Sequence, residues 1–384
     1  MQAGGPTGRG TLGTRLAAIV VAGLMVIGAA AVATRLVRPA DHRLAASAPD
    51  ESLALRDVTT TSAPATTVRP RPAAPPRLTT TVPAARPAPP RAAPARPASP
   101  PTTRSRVALT LPRPRLPASL VPYGGLGTWS DVFDWSPSHT NGNPATTADD
   151  VDRMVQAGVQ TLYIQAGHDD DPGPVTDPES LQPIIDRAHE RGLRVVAWYL
   201  PTLVDVDKDL QRLVTIAGLH NVDSLAVDIE ARNVSDVNER SRRLVQLSQA
   251  LRQALPGRAI GAIVLPPVVL EVINANYWPG FPWRQIAPFY DAWLTMGYWT
   301  FRTQASGYRD AYRYTKENVD RLRADVGRAD LPVHPIGGLA DKTTSDDLDG
   351  YRRAAVAVGA IGGSLYDWRT TADGLWPALA AFRR

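Results

Sequence analysis

The stretch that decides the fold of this chain is Val222-Asp223-Ser224-Leu225-Ala226-Val227-Asp228-Ile229-Glu230. It is short, apolar and β-branched, and it follows a helical pattern that ends at Gly218. These features are typical of a buried parallel strand. Side chains alternate between the two faces of a strand, so Ala226, Asp228 and Glu230 share one face. The pattern therefore predicts two neighbouring carboxylates at the carboxyl end of an otherwise apolar strand.

The acidic pair has two interpretations. Burying two like charges costs free energy unless they are paired, hydrogen-bonded or protonated. The first interpretation is a carboxylate site for acid–base chemistry. The second is an acidic cap of the following helix, in which Arg232 pairs with the charge. We favour the carboxylate site.

The sequence pattern changes after Pro122, where short apolar runs begin to alternate with amphipathic segments. The predicted strands are Gly124–Trp129, Thr161–Ala166, Arg194–Tyr199, Ser224–Glu230, Ala259–Leu265, Ala292–Tyr298, Val333–Gly337 and Gly363–Trp368. The predicted helices are Ala148–Ala157, Leu181–Arg191, Val206–Leu219, Val237–Leu255, Tyr308–Val326 and Ser345–Val358. Eight strands alternating with helices over residues 121–384 predict an α/β fold, a (β/α)8 TIM barrel. A doubly wound open sheet is the second option, but the first strand-to-helix turn lacks its Gly-rich phosphate fingerprint.

Polar and aromatic residues follow the carboxyl ends of several predicted strands, where a barrel carries its functional groups. Aromatic rings around a carboxylate centre suit sugars, whose C–H faces stack on Trp while their hydroxyl groups bind polar side chains. An alternative is that these rings only fill the mouth of the barrel. The predicted substrate-binding residues are Trp129, Asp131, Gln165, Trp198, Met296, Trp299, Asp367 and Trp368.

Three motifs resemble those of family 18 glycoside hydrolases, the chitinase-like group. The fourth-strand motif Asp-x-x-Asp-x-Asp-x-Glu is met as Asp223-x-x-Ala226-x-Asp228-x-Glu230, with Ala in place of the second Asp. The sixth-strand motif Met-x-Tyr-Asp is met as Met296-Gly297-Tyr298, with Trp299 in the position of Asp. The eighth strand ends in Trp368, as in the family.

Other segments limit that resemblance. The third-strand Ser-x-Gly-Gly pattern is replaced by Ala197-Trp198-Tyr199-Leu200. The Asp-x-Glu pair, with Gly127-Thr128-Trp129 and Phe133-Asp134-Trp135, also resembles family 25 muramidases weakly.

The family 18 resemblance implies a mechanism. It makes Glu230 the general acid, while Asp228 raises the pKa of Glu230 by like-charge repulsion. It also implies that Asp228 and Tyr298 hold the N-acetyl group of the sugar, which attacks the anomeric carbon in place of an enzyme nucleophile. In an ordinary retaining enzyme a second carboxylate would lie about 5 Å from Glu230, and Asp131 and Asp367 are the candidates.

The first third of the chain has a different composition. Residues 1–120 hold 16 arginines, four acids and no lysine, so they carry +12, whereas the rest carries −7 within a total of +5. Residues 16–34 are predicted to form a transmembrane helix or signal-anchor after a basic tail at residues 1–15. Residues 35–120 are predicted to be a disordered Pro/Ala/Thr/Arg-rich linker. The predicted location is the cell membrane, with the barrel outside the cytoplasm, or the exterior of the cell.

Together these observations predict a membrane-tethered barrel that hydrolyses an N-acetylhexosamine-containing polysaccharide or oligosaccharide. A catalytically inactive barrel that binds cell-envelope polysaccharide is the alternative, and a purely structural envelope protein is a third option. The mildly acidic body argues against nucleic acid as a partner. The acidic run His168-Asp169-Asp170-Asp171 is interpreted as a solvated loop rather than a metal site, and no cofactor is expected. The identity of the glycan and the oligomeric state are left open.

Overall fold

The structure, a computed structural model, describes residues 116–384. The predicted basic tail, transmembrane segment and linker up to residue 115 lie outside the described residues. Between residues 116 and 384, no helix combines the length and the apolar character that crossing a membrane requires.

Eight parallel strands form a closed barrel in sequence order. They are β1 (Gly125–Ser130), β2 (Thr161–Gln165), β3 (Arg194–Tyr199), β4 (Ser224–Ile229), β5 (Ile260–Val264), β6 (Ala292–Met296), β7 (Val333–Leu339) and β8 (Gly362–Tyr366). Closure is made by β1 and β8, whose residues Gly125 and Gly362 are paired. The predicted TIM barrel is therefore confirmed, and the open doubly wound sheet is excluded.

Helices surround the barrel between the strands. The main helices are Asp150–Gln156, Pro178–Glu190, Val206–Ala217, Val237–Ala254, Ala311–Val326 and Ser345–Ala357. Short helical turns cover Ala118–Tyr123, Val132–Trp135, Val269–Ile273, Trp283–Ile286, Ala287–Phe289, Trp299–Phe301, Ala340–Lys342, Asp373–Leu375, Trp376–Leu379 and Ala380–Phe382. The six predicted helices are all present, and the link after β5 is irregular, as its Pro-rich sequence indicates.

The helix that follows β4 begins at a well-defined cap. Asp236 is its N-cap, and the Asp236 carboxylate accepts a hydrogen bond from the backbone N–H of Glu239 at 2.9 Å. Such a cap satisfies one of the free N–H groups at a helix start. Since the cap lies six residues after Glu230, the acidic pair at the end of β4 does not serve that purpose.

The amino ends of the strands are closed by Tyr123. Its side chain is fully buried, and its hydroxyl group donates to the backbone carbonyl of Leu225 at 2.5 Å. Ser224, the first residue of β4, lies 2.8 Å from the same hydroxyl group. The amino end of the barrel is therefore filled by the Tyr123 side chain.

Candidate active site

A cavity opens at the carboxyl ends of the strands and encloses about 130 Å³. This volume is below the range of about 300–1,000 Å³ that drug-sized ligands occupy, so the enclosed part has room for one small ring. Its lining residues are Trp129, Asp131, Phe133, Gln165, His168, Asp169, Trp198, Leu200, Asp228, Glu230, Ile263, Met296, Tyr298, Ile336 and Tyr366. Eight of the eleven residues predicted from the sequence are thereby brought together in one cavity.

Asp228 and Glu230 form the acidic centre of this cavity. They are only 7% and 5% exposed. Asp228 lies next to Ile263 in the β4–β5 register, and Ile263 also lines the cavity. Within the described part of the chain, one carboxyl oxygen of each residue, Oδ1 of Asp228 and Oε2 of Glu230, is buried without a hydrogen-bond partner. Ala226 precedes Asp228 on the same face of β4 and has no polar group to offer it.

The protonation of this pair follows from its burial. Loss of hydration raises the pKa of Asp228 to about 8. Burial also raises the pKa of Glu230 well above its usual range, and the nearby charge of Asp228 raises it further. A carboxyl group that is buried without a cation keeps its proton at neutral pH. The pair can therefore supply a proton to a ligand, as a general acid must.

The backbone at the end of β4 is held by the aromatic loop that follows β5. The hydroxyl group of Tyr277 donates to the carbonyl of Glu230 at 3.0 Å, and Arg240 donates to the carbonyl of Tyr277 at 2.9 Å. Arg232 lies over the Tyr277 ring, 4.8 Å from its centroid. The arginine expected to pair with the acids in the helix-cap interpretation thus stacks on an aromatic ring.

Tyr298 and Met296 line the cavity from β6 and the residues just after it. Both are buried, with exposed fractions of 6% and 3%. Burial raises the pKa of Tyr298, and the charges of Glu230 and Asp228 raise it further. The phenol therefore stays protonated at neutral pH, and Tyr298 lines the same cavity as Glu230 and Asp228.

Trp198 lines the same cavity and has a hydrogen-bond donor, its indole N–H. It is 5% exposed, and its Nε1–H has no partner among the described residues. A buried N–H group without a partner costs free energy, which a ligand oxygen can remove. The indole of Trp129 lies edge-on to that of Trp198, with 6.1 Å between the ring centroids.

Two other predicted substrate-binding residues, Asp131 and Gln165, already form hydrogen bonds within the protein. The Asp131 carboxylate accepts from the N–H of Phe133 at 2.9 Å and from the hydroxyl group of Tyr366 at 2.6 Å. The Gln165 amide accepts from the N–H of Val132 at 3.2 Å and donates to the carbonyl of Gly167 at 3.2 Å. Asp131 and Gln165 therefore fix the loop that follows β1 as well as lining the cavity.

Trp299, Asp367 and Trp368 do not line the cavity. Trp299 is fully buried and packs on Tyr351, with 5.2 Å between the ring centroids. Trp368 packs on Trp376 at 5.4 Å. The Asp367 carboxylate accepts from the backbone N–H and the hydroxyl group of Thr370. From the carboxyl end of β8, Tyr366 lines the cavity instead.

The cavity mouth carries Phe133, His168 and Asp169. The rings of His168 and His139 lie 4.8 Å apart, and the His139 Nε2 atom lies 2.9 Å from an oxygen of Asp171. The sequence predicts a solvated loop at His168 and Asp169, whereas both residues line the cavity. The apolar residues Leu200, Ile263 and Ile336 could be found only from the register of the strands.

Two groups of side chains among the described residues have ligand atoms close enough to hold a metal ion. They are His168, Asp169 and Asp170 at the mouth, and the buried Asp131, Asp134 and Asp367. In the buried group, Arg369 lies 3.6 Å from Asp134, and hydrogen bonds already reach the other two carboxylates. We assign no ion to the buried group, since protein donors occupy its carboxylates, and none to the mouth group, whose Asp170 is exposed.

Comparison with known proteins gives structural neighbours only. No protein-family model and no curated protein matches the chain. The spore cortex-lytic enzyme SleL of Bacillus cereus is 10% identical, with 68% of this chain and 74% of that chain covered and a TM-score of 0.50. A chitinase from Chromobacterium violaceum is 13% identical, with 68% and 99% covered and a TM-score of 0.45. An endo-1,4-beta-D-mannanase from Thermotoga petrophila is 10% identical, with 64% and 88% covered and a TM-score of 0.47.

These neighbours are TIM-barrel glycoside hydrolases. At 10% identity the likeness to SleL, with its TM-score of 0.50, shows the fold alone. The predicted resemblance to glycoside hydrolase barrels is therefore confirmed at the level of the fold, and membership of family 18 in particular stays a prediction.

Proposed function

We propose that this protein is a glycosidase that cleaves a glycan containing N-acetylhexosamine, with Glu230 as the general acid. One observation carries the proposal. Asp228 and Glu230 line the same cavity as Trp198, and each of these three buried side chains has a polar atom without a partner among the described residues. A sugar with an acetamido group offers donors for the carboxyl oxygens and an acceptor for the indole N–H.

The proposed reaction uses the raised pKa of Glu230. Glu230 gives its proton to the glycosidic oxygen while the bond from that oxygen to the anomeric carbon breaks. The acetamido oxygen bonds to the anomeric carbon, and Asp228 and Tyr298 hold the acetamido group. The leaving sugar departs as an alcohol. Water then attacks the anomeric carbon while the bond from that carbon to the acetamido oxygen breaks, and it gives a proton to the Glu230 carboxylate, which restores the acid.

The charge of the cavity narrows the class of glycan. Four carboxyl groups line the cavity, and none of its described lining residues is a lysine or an arginine. A sugar that carries a carboxylate or phosphate would meet these groups without a compensating cation. We therefore expect neutral N-acetylated sugars to occupy the enclosed position and uronic acids to be rejected.

A second candidate is a barrel that binds the same glycan without cleaving it. Ala226 favours it, because Ala226 takes the place of the family's second Asp and offers no polar group to Asp228, one oxygen of which has no partner among the described residues. Transfer of protons through Asp228 would then be weak. In both cases we propose that residues 16–34 tether or export the barrel, on the evidence of the sequence.

The test uses the full-length chain in mild detergent, with chitin oligosaccharides and with peptidoglycan. New reducing ends are detected by mass spectrometry. We expect cleavage by the wild type and by Glu179→Gln, a matched change at an exposed glutamate. Glu230→Gln should reduce the rate by about 10²- to 10⁴-fold while leaving the melting temperature unreduced. Equal rates for Glu230→Gln and the wild type would contradict the role of Glu230. If the wild type and the variants bind the glycan but none of them releases products, the second candidate is favoured.

A further inference from the structure

We infer that His334 and Ser364 are positioning residues that hold the indole of Trp129 in place through a chain of buried hydrogen bonds inside the barrel. The inference rests on the proposed function in one respect, namely that Trp129 contacts the sugar. Neither His334 nor Ser364 lines the cavity, and the sequence pattern singles out neither.

The series of hydrogen bonds runs across three neighbouring strands. Trp129 of β1 donates from Nε1 to the Ser364 hydroxyl oxygen of β8 at 2.8 Å. Ser364 lies 3.0 Å from Nε2 of His334 on β7. Nδ1 of His334 lies 2.8 Å from the backbone carbonyl oxygen of Tyr123. The exposed fraction is 1% for Trp129 and zero for the other three residues.

The direction of every bond in this chain is determined by its two ends. A carbonyl oxygen only accepts, so Nδ1 of His334 carries the hydrogen, and Nε2 of the neutral ring is the acceptor. An indole N–H only donates, so the Ser364 oxygen accepts from Trp129 and gives its own hydrogen to His334. Burial lowers the pKa of His334 to about 4, which keeps the ring neutral at ordinary pH.

Packing reinforces the hydrogen bonds. The Trp129 ring stacks on Tyr163, with 4.3 Å between centroids and 11° between planes. One face of the indole is thus covered. His334 fits only because residue 362 is glycine, since a Cβ atom there would lie 2.5 Å from its Nδ1. The indole is thereby held by its N–H edge and by one face, while Trp129 lines the cavity.

This arrangement has a consequence for binding. Stacking of a sugar on an indole depends on the orientation of the ring, and a ring held in advance loses no freedom on binding. If the hydrogen bond to Ser364 is removed, the ring is free to tilt and the sugar binds less tightly. Among the described residues, none of the hydrogen bonds of this series involves Asp228 or Glu230, so the pH profile of the reaction should be unchanged.

The experiment compares four full-length proteins, namely the wild type, Ser364→Ala, His334→Leu and His334→Gln. The first readout is the NMR signal of the Trp129 indole N–H, assigned with Trp129→Phe. The second is the KM and kcat, or the dissociation constant, for N-acetylated chitin oligosaccharides. We expect Ser364→Ala and His334→Leu to shift the indole signal and to raise KM about five- to ten-fold, with the shape of the pH profile unchanged. His334→Gln, which keeps a donor and an acceptor, should recover part of the loss.

Ser248→Ala is the matched control. Ser248 is a buried serine outside the site, and its hydroxyl group bonds to the Leu244 carbonyl at 2.7 Å and to Tyr290 at 2.9 Å. The Ser248→Ala variant should have a melting temperature lowered about as much as that of Ser364→Ala, and its KM should be unchanged. An unmoved indole signal, or a moved signal with unchanged KM, overturns the inference.

If the wild type cleaves nothing, the proposed function fails, and the dissociation constants then decide the inference separately. Weaker binding by Ser364→Ala supports it. An absence of binding by the wild type overturns it.

Discussion

Replacing Asp228 by Asn should stabilise this protein at neutral and alkaline pH. Asp228 is buried at the end of β4, and one of its oxygens has no partner among the described residues. An unfolded Asp ionises near its ordinary pKa of 3.8, whereas burial raises the pKa in the folded chain to about 8. Asn has nearly the same shape and does not ionise, so the variant avoids the cost of this burial.

The sign and size of the effect follow from linkage. Between these two pKa values the unfolded chain releases a proton that the folded chain keeps. The wild type therefore loses stability as the pH rises, by about 1.4 kcal/mol per pH unit, and the loss is complete above the folded pKa. Four units give a ceiling of about 6 kcal/mol, and relaxation and hydration of the site reduce it to about 3 kcal/mol. For a domain of this size, we expect a melting temperature about 6 to 10 °C higher for Asp228→Asn at pH 8.

The assay is scanning calorimetry of both proteins from pH 3.5 to pH 9. The two melting temperatures should converge at the acid end and diverge as the pH rises. Asp177→Asn is the control of opposite sign. Burial of Asp177 is outweighed by hydrogen bonds from Ser136 and Ser138, which lower its pKa. That variant should be less stable than the wild type at neutral pH, with a difference that shrinks towards pH 3.5. A constant difference between Asp228→Asn and the wild type at all pH values would refute the reasoning.

Three further predictions concern activity and packing. Asp228→Asn removes a like charge beside the general acid, so the alkaline limb of its residual kcat/KM should move to lower pH in a pH–rate profile. Trp198→Phe removes an N–H that has no partner in the described part of the chain, so it should weaken binding of N-acetylated oligosaccharides about five-fold in calorimetric titration without lowering the melting temperature. Gly338→Ala would bring a methyl group within 2.8 Å of the Trp299 ring, so it should lower stability by about 1–3 kcal/mol in denaturant unfolding. Gly374→Ala is the control and should leave stability unchanged, because a Cβ atom there meets no atom within 4 Å. Equal effects of the two changes would count against the packing argument.

The barrel could be predicted from the sequence because its signals are local. Strand and helix periods, glycine stops and cap residues depend on neighbours in the chain, so all eight strands were predicted to within two residues at each end. The alternation of faces along β4 likewise predicted that Asp228 and Glu230 would lie side by side, and both line the cavity.

The aromatic residues after the strands show where local signals end. β6 ends at Met296 and β8 at Tyr366, so Trp299 and Trp368 lie beyond the alternating region, where the face of a side chain is no longer determined. Trp299 turns into the contact with Tyr351, and Trp368 packs on Trp376, whereas Tyr366 lines the cavity.

What the sequence by itself determined is the order of the elements, whose alternation predicts a barrel, and the acidic pair on β4, because both depend on residues that are close together in the chain. Only the tertiary structure decided which side chains from different strands meet. Trp129, His334 and Ser364 are separated by up to 235 residues, and their hydrogen bonds exist only because barrel closure brings β7, β8 and β1 together. The same closure surrounds Asp228 and Glu230 with apolar and aromatic groups and so raises their pKa values, because burial and charge are properties of the folded surroundings.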